Sequence, residues 1–108
     1  MSEHHFQIAY EVTDNGEDKE REKDIARDRI REHDEWSIVE NISTTLVGQL
    51  SIPSGDIDYK RKEAESKVWD IFSDLLKGKE GEKDVYKDVK IYISLMVDGL
   101  GEHIEFRV

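Results

Sequence analysis

Three observations predict an α+β fold class for this chain. Strict alternation of apolar and polar residues, the signature of a half-buried strand, occurs near the start, in the middle and at the end. Two stretches with helical apolar spacing separate those strands. The length of 108 residues suits one domain spanning 1–108, which buries roughly 65% of the surface that its unfolded chain exposes.

The first strand is read from Phe6, Ile8, Tyr10 and Val12 on one face and Gln7, Ala9 and Glu11 on the other. Thr13-Asp14-Asn15-Gly16 closes it, because short polar side chains bond nearby backbone and glycine accepts positive φ. Glu17 to His33 is almost wholly charged, with Ile25, Ala26 and Ile30 as a narrow helical stripe. Glu17 with Arg21, and Glu20 with Lys23, stand at spacings that support such a helix.

A long β-prone stretch follows, in which Trp36, Ile38, Ile42, Leu46, Leu50 and Ile52 share one parity. It is read as two strands, with the break at Glu40-Asn41 or Ser43-Thr44 and Gly48 as the mark of a bulge. After Pro53-Ser54-Gly55-Asp56, with Ser54 or Asp56 as N-cap, a second helix presents Ala64, Val68, Ile71, Phe72 and Leu75. Trp69 and Leu76 are placed at the borders of that face and Gly78 at its C-terminal cap. Lys77 to Lys83 alternates glycine with charge and reads as a mobile surface loop. Val89, Ile91, Ile93, Leu95 and Val97 then alternate with Lys90, Tyr92, Ser94 and Met96; Asp98-Gly99-Leu100-Gly101 turns the chain, and Ile104, Phe106 and Val108 complete a terminal hairpin.

Strand, helix, two strands, helix, strand is the order of a ferredoxin-like βαββαβ sandwich, here with an extra C-terminal strand. Such a sheet is antiparallel and carries both helices on one face. The opposite face is left with mixed polarity: it can stay wet or pair with a second copy, and the C-terminal strand also offers an edge, so a homodimer is expected, with Tyr92 and Met96 as the candidate interaction residues of that face.

The charge balance narrows the partners. Against 26 Asp+Glu there are 16 Lys+Arg, a formal net charge of -10 that repels nucleic-acid phosphates and anionic lipid. Direct nucleic-acid binding without metal is therefore not expected, whereas a basic protein partner is. The same charge would suit an acidic mimic of nucleic acid, for instance an inhibitor from a mobile element, and in its plainest role it confers solubility. There is no cysteine, no signal-peptide pattern is read, and no apolar run nears the roughly 20 residues of a membrane span, so a cytoplasmic, non-membrane protein is expected.

Phe6-Gln7-Ile8-Ala9-Tyr10-Glu11-Val12, a polar loop and a charged helix, then Trp36-Ser37-Ile38-Val39-Glu40 and Thr44-Thr45-Leu46-Val47, resemble the small CRISPR-associated adaptation nuclease superfamily and its uncharacterised bacterial relatives. The resemblance covers roughly the first half of the chain. It implies a ferredoxin-like homodimer that is either a metal-dependent nuclease or a non-enzymatic scaffold. The nuclease-like members carry aspartate after the aromatic residue that ends strand one; this chain has Glu11. Glutamate also ligates Mg²⁺ or Mn²⁺, but its extra methylene displaces the charge by more than about an ångström from a tight octahedral site. The expectation is therefore no enzyme and no cofactor, with Glu11 and Asp14 as catalytic carboxylates, and Glu11, Asp14 and Glu17 as metal ligands, in the alternative phosphodiesterase reading.

Other constellations are weaker. Acids near a helix start, such as Asp14, Glu17 and Asp18, are expected from the helix dipole alone. His4, His5 and His103 would need to converge to bind zinc, yet neighbours on a strand point to opposite faces. Trp36, Trp69, Tyr59 and Tyr92 could stack on bases only beside positive charge, and Lys60-Arg61-Lys62 with Lys67 is the one local basic patch. Gly78-Lys79-Glu80-Gly81 has the wrong length for a phosphate loop. The expected function is a non-enzymatic homodimeric binding or scaffold module that offers an acidic surface to a protein partner.

Overall fold

A computed structural model describes residues 2–16 and 18–108. The chain is α+β, with strands β1 (Ser2–Asp14), β2 (Trp36–Val39), β3 (Ile42–Ile52), β4 (Val89–Val97) and β5 (Ile104–Arg107), and helices α1 (Glu20–Glu32) and α2 (Ile57–Lys77). The strands form one sheet in the order β2-β3-β1-β4-β5, with every neighbouring pair antiparallel. β1 is central, and its alternation sets the layers. Phe6, Ile8, Tyr10 and Val12 are buried beneath the helices; in register beside them lie Leu46 on β3 and Ile91, Ile93, Leu95 and Val97 on β4, and Leu50, opposite His4, extends the same buried side. Ala26 and Ile30 of α1 and Ala64, Val68, Phe72 and Leu76 of α2 join the same hydrophobic cluster, so both helices cover one face.

Aromatic contacts tie this core together. The Phe72 ring lies 5.0 Å from that of Trp36 and 6.1 Å from that of Tyr10, joining α2 to β2 and β1. The Trp36 indole N–H donates to the Ile30 carbonyl at 2.8 Å, which satisfies the one polar atom the ring takes into the interior. Burial pushes the Tyr10 phenol above its ordinary value, against the smaller opposing pull of Arg31 and Arg27.

Local chemistry explains the ends of the elements. Asp56 caps α2, its carboxylate accepting from the Tyr59 backbone N–H at 2.8 Å, and Gly78 closes the helix at φ 77°. Among the described residues no side chain caps the start of α1; Glu20 and Glu22 in its first turn and Arg29 and Arg31 in its last complement the helix dipole. Glu20 pairs with Lys23 at 2.6 Å, which holds that carboxyl below its usual range and Lys23 above its own. The Glu17 partner proposed for Arg21 lies outside the described residues.

Several sequence expectations need correction. The β2–β3 hairpin turns at Glu40-Asn41, where Asn41 adopts φ 67°, while Ser43 and Thr44 belong to β3. Gly48 is not a bulge. It sits in regular register between Phe6 and Trp36, where a Cβ would stand 2.7 Å from the Phe6 ring, and the register shift falls at Ile38/Val39 instead. Leu76 belongs to the centre of the helix face, because the i, i+4 row Ala64, Val68, Phe72, Leu76 is fully buried while Ile71 and Leu75 are partly covered. Ile38 and Ile42 share the core parity but emerge exposed at the hairpin. The segment after α2 is pinned rather than loose: the Arg29 guanidinium donates to the carbonyls of Leu75, Leu76 and Lys83, and Val85 is buried with its N–H bonded to Leu76.

Candidate functional site

Because both helices occupy one face, the residues of opposite parity form an uncovered sheet face. Register fixes who stands beside whom. Glu11 faces Tyr92 across β1 and β4, and Tyr92 faces Arg107 across β4 and β5, so the three lie in one row about 10 Å from end to end. The next row contains Thr45, Ala9, Ser94 and Glu105, and the row beyond it contains Ser37, Val47, Gln7 and Met96. Lys90 lies one pleat along β4 from Tyr92, beside Thr13.

The small side chains of Ala9 and Ser94 make a shallow depression of about 540 Å³ against Tyr92, Glu11, Glu105 and Arg107. A second shallow depression, of about 700 Å³, surrounds Met96, Val47, Gln7 and His5 at the other end of the face. Tyr92 is 48% exposed, Met96 53% and Val47 37%, so three large apolar groups meet solvent in the interior of a five-stranded sheet. Gln7 separates Val47 from Met96 and Ser94 separates Met96 from Tyr92, so the face is of mixed polarity, with its large apolar groups gathered on one uncovered side.

Tyr92 and Met96 therefore share one open surface, as the sequence predicts. The carboxylates of the alternative metal reading do not assemble. Glu11 is exposed on the open face, whereas Asp14, three residues on, belongs to the helix-covered parity and lies 3.7 Å from the Lys23 ammonium. Glu17 lies outside the described residues. Within one chain, Glu11 and Asp14 do not fit a shared divalent cation, and among the described residues no group of three or more His, Cys, Asp or Glu side chains is arranged to hold one.

The remaining candidates disperse. His4 is engaged through both ring nitrogens, Nδ1 donating to the Asp98 carbonyl and Nε2 bonded to the Ser2 hydroxyl, each at 2.9 Å, while His103 pairs with Glu105 at 3.0 Å. β4 separates the strand carrying His4 and His5 from the one that His103 precedes. Trp36 is buried, Trp69 is half-buried on α2, and Tyr59 is exposed near Gly55, so these rings form no common platform with Tyr92. Arg61 is engaged in structure: its guanidinium donates to the carbonyls of Leu100 at 2.7 Å and Glu102 at 2.5 Å, holding the β4–β5 turn. That leaves Lys60, Lys62 and Lys67 of the basic patch.

Sequence reasoning passed over Val47, Glu105 and Arg107. The alternation of Ile104 and Phe106 signals that Glu105 and Arg107 face outward, but only the register places them beside Tyr92. No helix among the described residues is long and apolar enough to cross a membrane. Comparison with protein-family models, curated proteins and solved structures gives no match.

Proposed function

We propose that the chain is a non-enzymatic ferredoxin-like scaffold module of the cytoplasm, which pairs with a second copy through its open sheet face and presents its acidic surface to a basic protein. The observation that carries this reading is the division of the molecule into two unlike sides. Apolar Tyr92, Met96 and Val47 stand on one side, uncovered. On the other, α1 exposes acids such as Asp24, Asp28 and Glu32, and the segment after α2 exposes Glu80, Glu82 and Asp84. The strand order, with β1 between β3 and β4 and a helix in each of the two long connections, supports the ferredoxin-like description. The opposed orientations of Glu11 and Asp14 favour a scaffold over a metal-dependent nuclease.

Binding measured against an arginine-rich peptide and against duplex DNA tests this reading. The peptide should bind, and its affinity should fall as salt screens the attraction. Duplex DNA should show negligible affinity at physiological salt without divalent metal, given a net charge of -10. Mg²⁺- or Mn²⁺-dependent cleavage of RNA or DNA that disappears in Glu11→Ala or Asp14→Ala would overturn the reading, as would tight metal-free binding of DNA.

A further inference from the structure

We propose that the two copies meet through the β4–β5 side of the open face, with Tyr92 at the centre and with Lys90 and Arg107 of each copy against Glu11 and Glu105 of the other. This rests on the homodimer reading above and specifies its contact.

A surface that pairs with itself across a two-fold axis must contain both members of every complementary pair. Around Tyr92 that condition is met. Glu11 and Arg107 flank it in register, Lys90 lies one pleat along the same strand, and Glu105 stands diagonally beyond Ser94. Two cations thus balance two carboxylates, so the charge of -10 belongs to the rest of the molecule. Pairing through the acidic surface would set like charges together, whereas pairing here would not. A strongly basic partner, conversely, gains little from a patch without net charge.

The internal contacts agree with this assignment. Among the described residues Glu11, Lys90 and Arg107 form no salt bridge, and Glu105 is engaged only by the exposed His103. Their charges are available to an opposing surface. Ala9 and Ser94 keep the adjoining row low, which leaves room for an aromatic ring from a facing sheet to approach the backbone. Burial of Tyr92 would supply attraction, while the ion pairs would chiefly set orientation, because desolvation offsets much of their Coulombic gain.

Two complementary charge-reversed forms of the full chain test the contact: Arg107→Glu, and the double variant Glu11→Lys with Glu105→Lys. All the altered positions are exposed, and circular dichroism will establish that each form is folded. In sedimentation experiments each form alone should self-associate about tenfold or more weakly than the unaltered protein. An equimolar mixture should recover the dimer mass, because the acidic patch of one then meets the basic patch of the other. Unchanged dimerisation of either form alone would overturn the proposed contact while leaving the homodimer reading intact. A mixture that stays monomeric would also overturn it, since the charges would not then face one another. Dimerisation that requires Mg²⁺ and persists in Arg107→Glu would place a cation, not a guanidinium, against Glu11. An unaltered protein that remains monomeric would instead overturn the homodimer reading and this contact with it.

Discussion

Removing the Phe72 ring probes the packing that holds the open face in place. Phe72 is fully buried, and its ring meets Trp36 at 5.0 Å and Tyr10 at 6.1 Å, so Phe72→Ala empties the point where α2 touches both β1 and β2. A truncation of this kind costs about 3–5 kcal/mol, from lost apolar burial and the residual cavity. Against a typical total stability of about 5–15 kcal/mol, that is a large fraction. Urea unfolding followed by Trp36 fluorescence, in a Trp69→Phe background, would read the loss directly. Phe72→Leu should recover most of it, because the cavity is then largely refilled. A loss below about 1 kcal/mol in Phe72→Ala would refute the account of a shared core beneath one face.

Three further outcomes follow from particular atoms. Gly48→Ala should destabilise by about 1–3 kcal/mol in chemical denaturation, since the added Cβ would stand 2.7 Å from the Phe6 ring and 3.1 Å from the Glu35 carbonyl oxygen; an unchanged midpoint would show that the ring yields freely. Ser73→Ala should stabilise by about 1 kcal/mol in thermal unfolding, because the buried Ser73 hydroxyl has no hydrogen-bond partner among the described residues and alanine favours a helix; a loss of stability would reveal a bond to that oxygen. Tyr10 has a folded-state pKa raised by burial above its ordinary 10.0, so its stabilising contribution is present below about pH 10 and is lost as pH rises through the folded value. Phenolate absorbance of the unaltered chain minus that of Tyr10→Phe should therefore place the Tyr10 step above pH 10.0, and a step at or below that value would contradict its burial.

Much of the layer structure was legible in the residues, because a period of two on β1 and β4 names the buried side without any knowledge of neighbours. The separation of Glu11 from Asp14 was hidden by local composition: Thr13-Asp14 reads as part of a turn, whereas β1 runs on to Asp14, and residues three apart on a strand face opposite ways. What else was not legible depends on distant partners. Glycine in a strand signals either a bulge or a close approach, and only the arrival of Phe6 and Trp36 on either side of Gly48 decides between them. The glycine-rich segment after α2 has the composition of a mobile loop, yet Arg29, more than forty residues earlier, ties its Lys83 carbonyl to the Leu75 and Leu76 carbonyls at the end of α2. Likewise Arg107 joins Glu11 and Tyr92 only through two successive strand pairings, which no local pattern specifies.

The central claim is that the open face is an interface between copies, and sedimentation equilibrium of the unaltered chain over a range of concentrations tests it most directly. The account predicts, at physiological salt and without divalent metal, a species of twice the 12.6 kDa chain mass. A single species at the chain mass across the whole range would contradict it.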